Sequence, residues 1–150
     1  MSGLVGYELF AARVGGGSNG FTTEGGIYET FINNTGISVK GTIVVASTSA
    51  DNAVDIAPAN SQMPMGAIYE NGIVNGSNVK VVVYGKAEIL LKDGESSNRG
   101  YWCGVSDTAG RMYQLSAAPS TTEHNREIGH SLKTTTSGIN VLSLIQMHFN

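Results

Sequence analysis

Three histidines and a single cysteine are the first side chains to consider for metal binding or nucleophilic chemistry: His124, His130, His148 and Cys103. Zinc sites usually contain a close pair of ligands, two to five residues apart, with a second pair further along. His124 and His130 are too far apart for such a pair, and Cys103 is isolated. A hairpin around residues 136–138 would place His130 and His148 on adjacent strands. Because two histidines without a third ligand are typical of hydrogen-bonded structural residues, the sequence predicts no metal site.

The sequence gives equally little support to a pair of catalytic side chains. Cys103 and His130 would make a nucleophile and a base, but no third orienting group and no oxyanion turn accompanies them. Cys103 follows Trp102, and we predict that it is a small packed residue. Asp51 and Asp55 would make a carboxylate pair, but Asp51 lies in a sequence typical of a turn. The sequence therefore predicts no catalytic residue and a protein that is not an enzyme.

A glycine motif at residues 15–20, Gly-Gly-Gly-Ser-Asn-Gly, formally matches the dinucleotide fingerprint G-x-G-x-x-G. That fingerprint requires the glycines to open a helix, whose N-terminus then binds the pyrophosphate. Residues 21–26, Phe-Thr-Thr-Glu-Gly-Gly, are unsuited to such a helix, and no Gly-Lys-Ser/Thr follows to make a phosphate-binding loop. We interpret the motif as a linker and predict no cofactor.

Composition narrows the class of protein further. The chain has 150 residues, enough for one domain, and 9 basic against 12 acidic residues without a basic stripe, which argues against nucleic acid as a partner. No apolar run is long enough for a transmembrane helix, so we expect no membrane association, and the N-terminus lacks the pattern of a signal peptide. A single cysteine predicts synthesis in a reducing compartment. Charged residues make up 14%, which suits a surface that packs against copies of itself or a neighbour.

The N-terminal segment, residues 1–26, contains eight glycines around one apolar island at residues 4–14. Such a segment is unable to form a core alone, and residues 15–20 have the composition of a flexible linker. Two interpretations stay open: a frayed terminus or extra edge strand, and an arm that docks on another protein. The docking residues of that arm would be Leu4, Val5, Tyr7, Leu9, Phe10 and Val14.

Glycine turns divide the remaining chain, residues 27–150, into short β-rich runs, which predicts an all-β domain. Gly85 interrupts the longest run and is expected to mark a bulge or bend. The last run is apolar on both faces and predicts a doubly buried strand. Helix competes only over residues 42–57 and 111–128, with at most one short helix expected in the second. We predict strands at residues 27–32, 38–46, 53–56, 66–70, 78–91, 101–105, 112–115, 127–133 and 140–149.

Six short sequence motifs occur along the chain in an order that resembles that of a known group of proteins. They are Asn-Asn-Thr-Gly (33–36), Lys-Gly-Thr-Ile-Val (40–44), Pro-Met-Gly-Ala-Ile-Tyr-Glu (64–70), Arg-Gly-Tyr-Trp-Cys-Gly-Val-Ser-Asp-Thr-Ala-Gly-Arg (99–111), Glu-Ile-Gly-His (127–130) and Met-His-Phe-Asn (147–150). In this layout residues 33–150 resemble tailed-bacteriophage virion proteins, in particular capsid decoration (cement) proteins. The resemblance rests on phrases and their order, and the glycine-rich arm lies outside it.

The resemblance implies a small β-barrel or β-tulip-like domain on the outside of a phage head. Its partners would be the major capsid protein and two further copies of itself in a homotrimer, with an N-terminal arm contacting the shell. The protein would be made in the host cytoplasm and end in the virion. An alternative is a base or anchor domain of a head fibre or tail fibre. A carbohydrate-binding β-sandwich ranks third, because Trp102 is expected to be buried in the middle of a strand.

Overall fold

A computed structural model describes residues 19–149, which form one mixed sheet of 10 strands. The all-β class predicted from the sequence is confirmed. Five strands lie within residues 19–68. They are β1 (Asn19–Phe21), β2 (Gly26–Asn33), β3 (Ile43–Ala46), β4 (Ala53–Ile56) and β5 (Gly66–Ile68).

The second half begins with the longest strand and contains the helix of the described region. This helix is one turn long and lies within residues 111–128, where the sequence allows a single short helix. The elements are β6 (Asn78–Leu90), β7 (Trp102–Val105), β8 (Met112–Leu115), α1 (Thr121–His124), β9 (Glu127–Ser131) and β10 (Leu142–Met147).

Strand order in the sheet is β1-β2-β4-β3-β5-β6-β10-β9-β7-β8, with an additional pairing between β2 and β6. The strands β2, β4, β3, β5 and β6 are therefore joined in a closed cycle of pairings. Within it β2 and β4 run parallel, whereas the other neighbouring strands are antiparallel. The remaining strands β10, β9, β7 and β8 extend from β6 as an antiparallel sheet.

Strand β6 belongs to both parts and bends between them. Its first half pairs with β2 and β5, and its second half pairs with β10. The register with β2 shifts between Ile27 and Tyr28, where Val83 is the extra residue of β6, and Gly85 two residues later has a φ of +88°. A Cβ on Gly85 would lie 2.8 Å from the carbonyl oxygen of Gly25. Glycine is thus required at this bend, as the sequence predicts.

Two apolar cores correspond to the two parts of the sheet. The smaller lies among the cycle of strands. The larger spans the second half of β6 and the extending strands, and it also includes Ile43, Ala67 and Val82 from the cycle. The smaller contains Val44, Val54, Ile68, Val79 and Val81, and the larger includes Ile43, Ile89, Leu91, Met112, Ile128, Ile145 and Met147.

Three expectations about individual strands differ from the structure. The strand predicted at residues 38–46 begins only at Ile43, because residues 38–42 form a loop and turn that includes Gly41 at a φ of +87°. In β10, Ser143, Ile145 and Met147 are buried, but Leu142 and Leu144 are only half-buried, so the strand is not doubly buried. The reason is that β10 packs against the larger core on one face only. Trp102, expected mid-strand and buried, is the first residue of β7 and half-buried.

Strand pairing also begins earlier than residue 27. Strand β1 and the turn after it lie within residues 1–26, which the sequence assigns to the arm. Asn19, Gly20 and Phe21 pair with β2, and Gly26 is already part of β2. The described body therefore includes the last residues of the predicted arm.

Candidate functional site

A buried carboxylate surrounded by histidines is the densest group of chemically active side chains in the described region. The Oε1 atom of Glu127 lies 3.0 Å from Nε2 of His148 and 3.7 Å from Nε2 of His130, and its Oε2 atom lies 2.8 Å from Nδ1 of His124. One ligand atom from each of Glu127, His130 and His148 lies within 4.8 Å of the others. We call these four residues the Glu127 centre.

The strand pair β9–β10 brings two of the histidines together. His130 lies opposite Gln146, and the backbone N–H of His148 donates to the carbonyl of Ile128 at 3.0 Å. Gly129 permits this approach. Its φ is +147°, and a Cβ there would collide with the backbone carbonyl of Gln146.

The short helix α1 positions the third histidine. Ser120 caps the helix by accepting from the backbone N–H of Glu123, whose side chain accepts from the backbone of Ser120 in return. This capping box satisfies N–H groups that lack partners within the helix. The helix ends at His124, three residues before Glu127, and its imidazole faces the carboxylate.

Aromatic and apolar neighbours enclose one side of the centre. The ring of Trp102 lies 4.4 Å from that of His130, centroid to centroid, and the rings of His130 and His148 are 4.9 Å apart. Cys103, on the same strand as Trp102, is buried as predicted. Burial raises the pKa of the Cys103 thiol to about 12, and the negative charge of Glu127 contributes to this increase. The thiol is therefore held protonated at neutral pH.

Exposure differs sharply within the centre. The side chain of Glu127 is 1% exposed, whereas those of His130 and His148 are 36% and 34% exposed. The carboxylate thus lies at the bottom of the group and the imidazoles face solvent. A ligand that approaches from solvent would meet imidazole nitrogens first and the carboxylate behind them.

Sequence reasoning predicted part of this group. His130 and His148 are expected on adjacent strands; His130 is on β9, and His148 immediately follows the adjacent strand β10. Glu127 is the residue that the spacing of the histidines and the cysteine alone does not indicate. A signal was present: His124, Glu127 and His130 form the spacing His-x-x-Glu-x-x-His. Cys103 and His130, weighed as a nucleophile and base, are on paired strands, but the thiol donates to the backbone carbonyl of Tyr101.

The glycine motif and the two aspartates considered in the sequence lie elsewhere in the fold. Gly20, the last glycine of the fingerprint-like motif, lies in β1 and is followed by a turn, not a helix; residues 15–18 lie outside the described region. Asp51 lies in the turn before β4, as expected, and Asn52 in that turn has a φ of +51°. Asp55 lies within β4 and accepts from the side chain of Asn34.

A second group of charged side chains has a cation at its centre, where the Glu127 centre has a carboxylate. The Nζ atom of Lys40 lies 3.1 Å from Oε1 of Glu24 and 3.0 Å from Oε2 of Glu88, and 5.0 Å from the centre of the Tyr69 ring. Burial lowers the pKa of Lys40, but hydrogen bonds to Glu88 and Glu24 outweigh it, so the pKa is raised. We call Lys40, Glu24 and Glu88 the Lys40 centre.

An apolar row crosses the sheet next to the start of the described chain. Phe21 on β1 lies opposite Ile27 on β2, which lies opposite Tyr84 on β6. Phe21 and Tyr84 are 63% and 58% exposed, and Ile27 is also exposed. Residues that are directly opposite in a sheet project from the same face, so the three form one row. We call it the β1 row.

The predicted docking residues of the arm precede this row in the chain. Leu4, Val5, Tyr7, Leu9, Phe10 and Val14 lie outside the described residues. Among residues 19–149, no helix has the length and apolar character needed to cross a membrane.

Comparison with known proteins adds no family to this description. No protein family model matches the chain, and no curated protein matches its sequence.

Proposed function

We propose that this protein is a structural protein of a tailed-bacteriophage virion that binds the outside of the capsid and stabilises it. The observation that carries the proposal is the β1 row, an exposed apolar surface that follows the apolar island of residues 4–14 and the glycine-rich residues 15–20. The order of sequence phrases described above supports the same class of protein.

The position of β1 favours attachment through this side of the molecule. Strand β1 lies at one end of the strand order and pairs only with β2 among the described strands. Residues 1–18 lead directly into β1, so the arm and the β1 row together would form one continuous contact with the capsid.

Apolar burial supplies enough free energy for such a contact. Burying a large apolar side chain contributes about 1.5–3 kcal/mol, less the cost of ordering the arm on binding. A homotrimer would present three copies of the arm and the row, and linked contacts strengthen attachment by avidity. Low affinity of each arm is therefore compatible with stable decoration.

The cycle of pairings through β2, β4, β3, β5 and β6 supports the finer fold assignment in this proposal. A sheet whose first and last strands pair has no open edge in that region, which is the principle of a small β-barrel. We assign a barrel-like or tulip-like decoration domain on this basis. Such a body would present the β1 row in a constant orientation.

The test compares binding to undecorated heads built from the major capsid protein of the same genome. Deleting residues 1–18 keeps every described strand, and it should reduce occupancy of the heads at least 10-fold. Tyr84→Ser should weaken binding because it removes the most exposed aromatic of β6 from the row. The matched control is Ile139→Ser, which changes an exposed apolar residue in the loop between β9 and β10.

Circular dichroism establishes that each variant is folded, and light scattering with native mass spectrometry measures the oligomer. Trimers on the heads and normal binding by Ile139→Ser are expected. Equal binding by the full chain, the deletion and Tyr84→Ser would refute the docking surface. Failure of the full chain to bind heads at all would refute the capsid proposal itself.

A further inference from the structure

We propose that the Glu127 centre is a zinc site, with Glu127 Oε1, His130 Nε2 and His148 Nε2 as its protein ligands. Nitrogen from imidazole and oxygen from carboxylate are ligands that Zn²⁺ accepts in proteins. Two histidines and one glutamate form an established three-ligand set for this ion. The inference is independent of the capsid role, because it rests on a different part of the molecule.

The distances between the ligand atoms suit a tetrahedral ion. Bonds of about 2.0–2.1 Å place tetrahedral ligands about 3.3 Å apart. Glu127 Oε1 lies 3.0 Å from His148 Nε2 and 3.7 Å from His130 Nε2. The pair His130 and His148 is within the 4.8 Å that limits the whole group. Small rotations of the two imidazoles would bring the three atoms to the required separation.

Burial of the carboxylate gives the site a reason to favour a cation. Glu127 is 1% exposed at its side chain, and a carboxylate removed from water needs compensating positive charge or hydrogen bonds. A divalent cation at Oε1 would place two positive charges next to it. Because the imidazoles are about one-third exposed, the ion would enter from solvent without opening the core.

The ligands are held by elements that are already ordered. Gly129 lets β9 and β10 approach closely, and Trp102 packs against the His130 ring. His124 approaches the other oxygen of the carboxylate, Oε2, at 2.8 Å. It therefore acts as a positioning residue that orients Glu127, not as a ligand. Outer contacts of this kind commonly change metal affinity by about 10–100-fold.

Three protein ligands leave one tetrahedral position for water or for a side chain of a bound partner. The ion would connect β9 to the residue that follows β10, and so resist separation of these two strands. A ligand that binds only the folded state stabilises it. Saturating zinc is expected to raise Tm by about 5 °C or more, on the scale set by the size of this chain.

The experiment uses untagged full-length protein freed of metal by a chelator, titrated with ZnCl₂ in a calorimeter. One zinc per chain is expected to bind, with MgCl₂ giving no binding. His130→Ala and His148→Ala should each weaken zinc affinity about 100-fold or more, beyond the range of outer-contact effects. Both histidines are partly exposed, so these two variants are expected to fold. They are preferred to a substitution of Glu127, whose side chain is buried.

Two further variants complete the design. His124→Ala should weaken zinc binding about 10–100-fold while keeping one zinc per chain, and His124→Gln should restore much of the affinity because its amide can donate to Oε2. Glu70→Gln, which changes a carboxylate paired with Lys80 elsewhere, should leave zinc binding unchanged. No zinc binding by the wild-type chain, equal binding of Mg²⁺, or undiminished binding by both histidine-to-alanine variants would overturn the proposal.

Discussion

The Glu127 centre and the Lys40 centre are built on the same plan with opposite charges. In each, one ionisable side chain lies among partners of opposite type at hydrogen-bonding distance. The Lys40 centre pairs an ammonium with two carboxylates, and its lysine is 23% exposed. The Glu127 centre pairs a carboxylate that is 1% exposed with three imidazoles.

The difference lies in what the partners are able to do. Carboxylates are fully charged at neutral pH, so the Lys40 centre is an ion-pair network complete within the protein. The nitrogen of a neutral imidazole, by contrast, is a common metal ligand. The Glu127 centre can therefore accept a cation from outside, whereas the Lys40 centre is structural. Burial adds to the contrast, because electrostatic contributions grow as water is excluded.

The largest effect is expected where the backbone that supports the Glu127 centre is changed. Gly129→Ala places a Cβ against the carbonyl of Gln146 and retains a φ of +147° that alanine rarely adopts. Strain and overpacking together should cost about 3–5 kcal/mol. Urea unfolding of the purified variant measures this loss.

Gly72→Ala is the matched control for that variant. Gly72 has a φ of +79°, but a Cβ there would meet no atom within 4 Å, so only backbone strain of about 1–2 kcal/mol applies. Similar losses for the two variants would mean that β9 and β10 separate easily, contrary to the packing described here.

Removing the charge of Glu127 is expected to have the next largest effect. Glu127→Gln keeps the shape of the side chain but disturbs buried, charge-assisted contacts to the histidines, which should cost about 1–3 kcal/mol in metal-free protein at pH 7. Glu88→Gln in the Lys40 centre, where the glutamate is 37% exposed, should cost less than about 1 kcal/mol. Thermal unfolding of both variants tests the order; equal losses would contradict the contrast drawn between the centres.

Replacing the lysine of the second centre should have a smaller effect with a defined pH dependence. Lys40→Met leaves Glu24 and Glu88 without their shared cation, and partial exposure limits the loss to about 1 kcal/mol. Burial raises the pKa of Glu24, but the hydrogen bond from Lys40 and further contacts outweigh it, so that pKa is lowered. The contribution of Glu24 is therefore present above the unfolded glutamate value of about 4.3 and is lost as pH falls through the lower folded value.

At alkaline pH the stabilising contribution of Lys40 is lost as pH rises, whereas that of Glu24 is lost as pH falls. The pKa of Lys40 is raised, so its contribution is present below the unfolded lysine value of about 10.4 and is lost as pH rises through the folded value. The stability difference between wild type and Lys40→Met should be constant from about pH 5 to pH 10 and shrink outside that range. Urea midpoints across pH measure it; a difference that changes between pH 6 and pH 8 would show that Lys40 is not the responsible group.

The smallest effect concerns the reactivity of the Cys103 thiol. Because burial raises the pKa of Cys103 to about 12, iodoacetamide should modify native protein very slowly at pH 8 and unfolded protein rapidly. Glu127→Gln should increase the native rate slightly, since the charge of Glu127 contributes to the raised pKa. Mass spectrometry of timed samples gives both rates, and rapid alkylation of the folded protein would refute the burial of this thiol.

Local sequence predicted most strands because the signals are local. Asn-Gly and Asp-Gly turns end apolar runs where a positive φ is needed, and Gly72 and Gly94 adopt it. Gly85 was predicted to mark a bend for the same reason. The sequence leaves open an extra strand within residues 1–26 but does not indicate its position, because Asn19, Gly20 and Phe21 carry no alternating pattern. Pairing with β2 makes them a strand.

The Glu127 centre required information that no local pattern contains. Glu127 was predicted to begin a strand, but its burial depends on the packing of β9 against β7 and β10. The pairing of β7 with β9 shifts register between Cys103 and Gly104, and sequence patterns do not show where such a shift occurs.

By itself, the sequence determined the all-β class, the bend at Gly85, the short helix and the burial of Cys103. Each depends on backbone preferences or on side-chain polarity within a few residues. Tertiary structure alone decided that a cycle of strands shares β6 with an antiparallel sheet, and that Glu127 lies beneath three histidines. The physical reason is that register and strand order depend on contacts between distant residues, and only the folded chain brings those residues within reach of one another.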